Sequence, residues 1–480
     1  MPLVEIFPYA HVLYNVFSVL YIITIVVTIG VILSENRNPV KSLAWVTVLI
    51  LLPVAGFVLY LFFGRSLKGV RMISRRNRKR LRAVHHFAPV NIDRLPLSEE
   101  NRQLVKLVNN LVEPHYFSHN HIDIFTQGKP KFEQLMADLR AATRYIDLQY
   151  YIFEDDNVGR AICDILVSKA RQGVTVRVIY DHLGSYTFNG RFFARMRRSG
   201  VEAYPFLKVT LAELANRLNW RNHRKLVIID GTIGYVGGMN IADRYVTGSD
   251  KHAPWRDTHL RITGDAVAAL QYVFAVDWTF MGRPLVLEDT HLIPPVEAAD
   301  GMQIVGSGPT GQWSTISVVF IHAISNAKKR VWVQTPYFLP NDALLKVLQT
   351  AALSRVDVRL MLPRHCDSWL LGHASASNVK ECLLAGIKIY FYEPAMLHSK
   401  LLLVDDEFAT TGSTNFDFRS FEHNFECNAL VYSASFNRRM SEVFEADQRQ
   451  STRIILSHWR RRSLWRKALE SLVRLIAPIL

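Results

Sequence analysis

Two stretches of this 480-residue chain set a histidine, a lysine and an aspartate at one spacing: His223, Lys225 and Asp230 in "NHRKLVIID", and His398, Lys400 and Asp405 in "LHSKLLLVD". On an extended strand residues i and i+2 share a face, so each His and its Lys point into one cavity while Arg224 or Ser399 points away. An imidazole is a base or nucleophile when neutral and an acid when protonated, and it changes between the two near neutral pH. Downstream, "GGMN" and "GSTN" bring Asn240 and Asn415 out of tight Gly turns, each 17 residues past its His. An Asn amide can donate to a phosphate oxygen. One such triplet arises by chance in about one chain in a few dozen. Two, each trailed by Gly and Asn at matching offsets, mark a site built twice.

The elements that must carry these groups are repeated too. "AATRYIDLQYYIFEDDNVGRAICDILVSKARQGVTVRVIY" from Ala141 and "SNAKKRVWVQTPYFLPNDALLKVLQTAALSRVDVRLMLP" from Ser325 share one pattern. A basic residue leads into a β-branched and aromatic strand holding Gln149 or Gln334, then an acidic turn, a helix of period 3.6 and a second strand. Each is a βαβ unit, followed after a connection by the polar triplet opening an apolar strand, at a repeat of roughly 175 to 185 residues. The pattern predicts an α/β fold: a duplicated domain of mixed sheets flanked by helices, whose pseudo-twofold axis brings the equivalent residues together. The expected bounds are 1–66 for an amino-terminal helical hairpin, 67–110 for a basic linker, 111–290 and 291–455 for the two halves, and 456–480 for a basic amphipathic tail helix.

Asp230 and Asp405 complete the catalytic triplets, but at an odd offset from the His, which leaves open whether they react or serve as structural hydrogen-bond partners. Asp257 in "WRDTH" and Glu426 in "NFECN", at matching places on the next strand of each repeat, are the candidates to orient the imidazoles. A carboxylate there fixes the tautomer and supports the cation. The first half alone carries an insertion, "VTGSDKHAPW", before Asp257. No cluster of carboxylates or His at ligand spacing lies near either block, and His85, His86, His115, His119 and His121 form no metal pattern, so metal-free and cofactor-free chemistry is expected. The aromatics of "YYIF" and "PYFLP" are expected in the core.

These motifs resemble the phospholipase D superfamily, whose hallmark is two HKD motifs meeting at one active site. Within it the chain is similar to the bacterial cardiolipin synthases through "NPVKSLAWV", "QYYIF", "NHRKLVIIDG", "GYVGGMNIADRY", "WRDTHLRITG", "QTPYFLP", "HSKLLLVDDE" and "RSFEHNFE". The resemblance implies that one imidazole attacks a phosphodiester to leave a phosphohistidine while the other protonates the departing alkoxide. It implies His223 as nucleophile and His398 as acid; the residues alone are symmetric. Lys225, Lys400, Asn240 and Asn415 would hold the non-bridging oxygens in the transition state. The implied reaction transfers a phosphatidyl group from one phosphatidylglycerol to another, giving cardiolipin and glycerol. Water or another headgroup alcohol as acceptor is the alternative, because no motif reports how water is kept out.

The positions that place such a site at a lipid surface come first in the chain. Val12 to Leu33 and Ala44 to Phe63 carry no charge, and each is long enough at about 1.5 Å per residue to cross a hydrocarbon core of roughly 30 Å. Together they are expected as a transmembrane hairpin. A signal peptide is the competing reading, against which stand the absence of Lys or Arg before Val12 and of a small-residue cleavage site. Arg65, Lys68, Arg71, Arg75, Arg76 and the basic residues up to Arg82 should lie on the cytoplasmic side of a bacterial inner membrane, although Arg37 and Lys41 weaken the asymmetry. The tail places Trp465, Leu469, Leu472 and Ile476 on one helical face among Arg and Lys, as an interfacial helix does; a helix packed on the domain is the alternative.

Charge is consistent with that address. Lys and Arg number 57 against 42 Asp and Glu, a formal net charge of +15, which favours a polyanionic partner. Two uncharged runs turn the choice from nucleic acid to an anionic membrane surface and its phospholipids. A superfamily nuclease is the less favoured reading, and a scaffold with a decayed site is opposed by the complete His, Lys and Asn sets. Cys163, Cys366, Cys382 and Cys427 show no CxxC pairing and read as reduced, apolar residues. Oligomeric state is not written in the sequence.

Overall fold

The computed structural model describes residues 10–34, 39–64, 68–85, 90–112, 116–185, 190–208, 219–248, 253–284, 286 and 300–476. The expected boundary at 290/291 and the side chains of Arg65, His85, His86 and His115 lie outside what is described. Two units are distinct, residues 1–66 with 209–219 and the rest of the chain.

In the first unit the helix Ala10–Ser34 runs for 25 residues and is the one described helix long and apolar enough to cross a membrane. Thr24 and Thr28 satisfy their hydroxyls on the carbonyls four residues back. The second uncharged run departs from the expected straight span. It forms a helix over Pro39–Leu51, breaks at Leu52, and resumes as Pro53–Leu59 and a π turn over Tyr60–Gly64. The Trp45 and Tyr60 rings meet edge to face at 5.4 Å, and a Cβ on Gly56 would lie 2.7 Å from the Val48 carbonyl oxygen. Eight residues of straight helix would separate Val48 and Gly56 by about 12 Å, so the chain folds back on itself at Leu52. Pro53 is the cause: it has no N–H to continue the ladder, and Gly56 lets the two arms touch.

In the second unit the two sheets repeat one topology. The first comprises β1 (Asn120–Phe125), β2 (Tyr145–Tyr150), β3 (Thr175–Asp181), β4 (Glu202–Phe206), β5 (Leu226–Ile229), β6 (Ile233–Gly237) and β7 (His259–Gly264), in the order β1-β7-β6-β5-β2-β3-β4. The second comprises β8 (Gly301–Ser307), β9 (Arg330–Gln334), β11 (Asp357–Pro363), β12 (Lys388–Tyr392), β13 (Leu401–Val404), β14 (Phe408–Gly412), β16 (Glu426–Tyr432) and β17 (Ser451–Ile454); β10 (Phe338–Leu339) and β15 (Phe416–Asp417) pair separately. Read from its other edge, the second sheet is β8-β16-β14-β13-β9-β11-β12, the same order strand for strand, with β17 added. The expected duplicated α/β fold of mixed sheets flanked by helices is what the chain adopts.

Both sheets are covered on both faces, which is why β2, β5 and β13 are apolar or buried throughout. One core cluster joins inward residues of the two sheets, such as Leu226, Ile228, Leu401 and Leu403, to the helices Val267–Phe280 and Ala434–Arg449 between them. Outer helices cover the remaining faces. Residues 67–110, expected as a linker, are not free chain. Helix Glu99–Leu111 buries Leu104, Val105 and Val108 in the outer core of the second sheet, and Asn101 bonds Glu407 at 3.0 Å. Leu104→Ala should therefore lower the unfolding free energy by about 2–5 kcal/mol. A linker residue would leave the denaturant midpoint unmoved.

Candidate active site

The two triplets are brought together by backbone pairing across the halves. Just before β5, Asn222 pairs in parallel with Phe425: the His223 N–H donates to the Phe425 carbonyl at 2.9 Å and the Phe425 N–H to the Arg221 carbonyl at 2.9 Å. At the equivalent place in the other half, the His398 N–H donates to the Arg256 carbonyl at 2.7 Å and the Arg256 N–H to the Met396 carbonyl at 3.0 Å. Each bridge sets a histidine beside the residue that follows its partner, Glu426 or Asp257. His223 Nδ1 lies 3.0 and 3.1 Å from the two Glu426 oxygens, and His398 Nδ1 lies 2.6 Å from Asp257 Oδ2. The carboxylates are exchanged: each half supplies the acid that holds the other half's imidazole.

A further difference separates the two copies. Gly238 and Ser413 stand at equivalent positions, each 15 residues past its His. A Cβ on Gly238 would fall 2.2 Å from Asp257 Oδ1, so only glycine fits. Ser413 instead donates its hydroxyl to Glu426, which also receives the Asn424 amide at 3.2 Å. Asp257 Oδ1 accepts the Thr258 N–H at 2.7 Å.

Burial governs the charges. It lowers the His223 pKa against the opposing pull of Glu426, and with the help of Lys400 it pushes His398 down to about 4 despite Asp257. Both imidazoles are therefore neutral at pH 7, with the Nδ1 proton assigned to the acceptor-only carboxylate and the Nε2 lone pair left for the cavity. Burial alone would raise Glu426 and Asp257, but His223 and Lys225 hold the first below the usual carboxylate range, and Lys400 and His398 hold the second there. Burial also draws Lys225 well below its ordinary value and Lys400 down to about 8. The Lys225 ammonium donates to the His223 carbonyl at 2.6 Å; the Lys400 ammonium donates to the His398 carbonyl and lies 2.8 Å from His398 Nδ1.

A cavity of about 310 Å³ is lined by His223 and His398 together with Asn240 and Asn415. Asn240 donates to the Tyr245 hydroxyl at 3.1 Å, and that hydroxyl lies 3.2 Å from His398 Nδ1, so Asn240 reaches the opposite half's histidine through Tyr245. The buried Asn415 Oδ1 has no hydrogen-bond partner among the described residues. Asp230 and Asp405 do not reach the cavity. Both sit with φ near +50° in the turn that follows β5 or β13. Asp230 accepts the N–H groups of Thr143, Arg144 and Tyr145 at 2.8, 2.8 and 2.9 Å. Asp405 accepts those of Lys328, Lys329 and Arg330 at 2.7 to 3.1 Å. Each aspartate ties the start of the neighbouring strand, β2 or β9, to that turn.

Sequence reasoning missed several cavity residues. Tyr151 of "YYIF", assigned to the core, turns its ring edge to His223 at 4.9 Å, while its neighbour Tyr150 is buried. Trp255, inside the insertion, lies 5.2 Å from the His398 ring. Tyr337, Arg221, Arg419 and Asn424 also line the wall. Alternation past the end of β2 could have separated Tyr151 from Tyr150. Among the described residues no three His, Cys, Asp or Glu side chains gather as a metal site, and the four cysteines are unpaired.

Two outcomes are expected. Asp230→Ala should cost about 1–3 kcal/mol of stability through stranded backbone donors, with the histidine titrations unmoved. Asp257→Asn removes the anion that opposes burial, so the His398 transition in a histidine-labelled NMR titration should fall below about 4; an upward move would contradict the pairing.

The family model described as "Cardiolipin synthase, PLD-like domain" matches residues 135–268 and 320–448, and one described as "Phospholipase_D-nuclease N-terminal" matches residues 19–65. The chain is 37% identical over 474 residues to the cardiolipin synthase of Geobacillus kaustophilus, covering 98% of this chain and 94% of the relative. It is 37% identical over 479 residues to the major cardiolipin synthase of Bacillus subtilis, covering 96% and 98%, and 38% identical over 482 residues to a cardiolipin synthase of Staphylococcus aureus, covering 98% and 97%. Among solved structures, the phosphatidylserine synthase of Haemophilus influenzae has the same fold at a TM-score of 0.58 and 15% identity, covering 80% of this chain and 98% of that one. The chain belongs to the cardiolipin synthase family of the phospholipase D superfamily.

Proposed function

We propose that the protein transfers a phosphatidyl group from one phosphatidylglycerol to a second, giving cardiolipin and glycerol through a phosphohistidine. The observation that carries the reading is the crossed pair: two neutral imidazoles in one cavity, each with its Nδ1 held by a carboxylate and its Nε2 free to act. In the first step His223 Nε2 attacks phosphorus, the bond to the glycerol oxygen breaks, and that oxygen takes the proton of His398 Nε2. In the second, His398 removes the proton of the incoming hydroxyl as its oxygen attacks phosphorus and the P–N bond breaks. Glu426 supports the positive charge on His223 and Asp257 that on His398. Asn240 and Asn415 meet the phosphoryl oxygens from the cavity wall, and Lys225 and Lys400, bonded to the histidine carbonyls, add positive field. Asp230 and Asp405 act as structural ties.

Since His398 is neutral in the free protein, the proton it gives to glycerol has to be gained when the anionic phosphodiester arrives. Mixing the His223→Ala form with short-chain phosphatidylglycerol at pH 7 should therefore take up close to one proton, read by a pH indicator. No uptake would remove His398 as the acid. His223→Ala should lower turnover at least about 10⁴-fold. Mass spectrometry of products should find cardiolipin and glycerol from the unmutated chain; phosphatidic acid would instead identify water as acceptor, and cleaved nucleic acid would identify a nuclease.

At the membrane, the fold-back at Leu52 suggests one crossing helix followed by a re-entrant pair. Thirteen residues over Pro39–Leu51 rise only about 20 Å. On this reading the chain leaves on the side it entered, and the basic residues flanking the pair in sequence favour the cytoplasmic side for both ends. The tail helix Leu464–Ile476 divides its apolar residues: Leu469 and Val473 pack on helix Trp369–Leu384, while Leu464, Trp465 and Leu472 are 81%, 87% and 64% exposed among basic residues. That outer face suits a bilayer surface. Single cysteines at Asn36 and Ser66 should both resist an impermeant thiol reagent applied to cells; labelling at Asn36 alone would restore the two-span hairpin.

A further inference from the structure

We infer that a second cavity, beside the catalytic one, is the binding site for the acceptor phospholipid; the inference rests on the transferase reading above. This cavity, of about 770 Å³, shares Arg244, Trp255 and Asp367 with the catalytic cavity and so opens onto it at the His398 side, where Trp255 stands. Its size is that of a pocket for an amphiphile headgroup and the first part of its chains.

The chemistry fixes what must lie there. In a double displacement the entering hydroxyl takes the position that the leaving glycerol vacated, next to the histidine that gave up the proton. When that hydroxyl belongs to phosphatidylglycerol, a second phosphate follows one glycerol unit behind it. An anion site with an apolar exit therefore has to adjoin the His398 side of the cavity. The second cavity offers an apolar wall and three arginines, each partnered by a carboxylate that an entering phosphate would have to displace or share: Arg244 with Glu154, Arg364 with Glu393 and Arg466 with Glu470. Arg364, His365, His373 and Arg466 line it together with the shared Arg244, against the acids Asp367 and Glu470. Trp369, Phe391 and Trp459 supply apolar wall, and Trp369 is 61% exposed at the surface.

The exit leads to the proposed bilayer face. Arg466 and Glu470, which line the cavity, belong to the tail helix whose exposed side carries Leu464, Trp465 and Leu472. Helix Trp369–Leu384 forms the other bank, joined to the tail by Leu469 and Val473 and by the pair Arg474–Glu381 at 3.3 Å. A lipid entering between these helices keeps its chains toward the membrane and presents its glycerol hydroxyl to His398. The donor places its phosphodiester in the smaller cavity, between the two histidines.

The test compares two acceptors in one mixture: phosphatidylglycerol, and free isotopically labelled glycerol, which exchanges into phosphatidylglycerol with no lipid acceptor. Arg364→Ala removes a half-exposed cation, and Ala376→Trp fills the cavity from its wall. In full-length protein in vesicles of phosphatidylglycerol and phosphatidylcholine, the ratio of cardiolipin formed to labelled glycerol exchanged should fall about tenfold in each variant. A ratio unchanged in both variants, whether their activities are intact or equally reduced, overturns the assignment. Labelled exchange with no cardiolipin from the unmutated chain would instead overturn the transferase reading itself, and the acceptor site with it.

Discussion

Each imidazole in this protein is held by a carboxylate of the opposite half. The rest of the catalytic unit can be read as the apparatus that makes the exchange of Glu426 and Asp257 possible. Two short backbone bridges, at Asn222–Phe425 and Arg256–Leu397, fix the register of the halves at the point where chemistry is needed. Arg224 strengthens the first from within: it donates to the Glu426 carbonyl at 3.0 Å and to the Ser307 carbonyl at 2.9 Å while paired with Asp277. At the second, Arg256 forks onto Asp447 at 2.7 and 3.1 Å, and Thr258 meets Ser399 at 2.8 Å. Gln149 and Gln334, the strand residues common to both repeats, bind those same acids, Asp277 at 2.6 Å and Asp447 at 2.8 Å. The buried charges of this network are each paired, and a pair broken at either bridge leaves a charge uncompensated.

The near-symmetry stops at the chemistry. Glu426 is gripped by Ser413 and Asn424, whereas Asp257 is closed in by Gly238, Thr258 and Lys400. Tyr151 flanks one imidazole, and Tyr245 and Trp255 the other. Two rings that began as copies thus sit in different fields, which is the condition for dividing the labour of attack and proton transfer between them.

Much of this was legible in the residues. The repeated order of strands and the matching Gly and Asn turns are local patterns, whereas Lys225 and Lys400, expected beside their histidines in the cavity, bond the histidine carbonyls instead and are not among its lining. The exchange of carboxylates is not local: "WRDTH" and "NFECN" lie at equivalent places, and only the packing of one half on the other reveals whom each serves. The fold-back at Leu52 was hidden for another reason. Pro53 and Gly56 are visible, yet the same apolar composition suits a straight helix and a folded-back pair, and the contact of Trp45 with Tyr60 shows the second. In the tail the expected stripe through Trp465, Leu469 and Leu472 is turned, because Glu470 is buried in a bidentate pair with Arg462 at its base. The turn sends Leu469 and Val473 inward and leaves Trp465 and Leu472 out.

The exchanged carboxylates also bear on how such a chain could have arisen. A single ancestral half would have carried a histidine without its acid and an acid without its histidine, so one copy could not have formed a working centre by itself. Two separate chains, meeting about a twofold axis, would have formed one centre between them, at the mercy of their concentration. Tandem fusion converts that encounter into an intramolecular one, at an effective concentration set by the connecting chain. Once joined, the copies were free to drift apart in sequence while remaining bound to each other's chemistry, which is the state that Gly238 and Ser413 record.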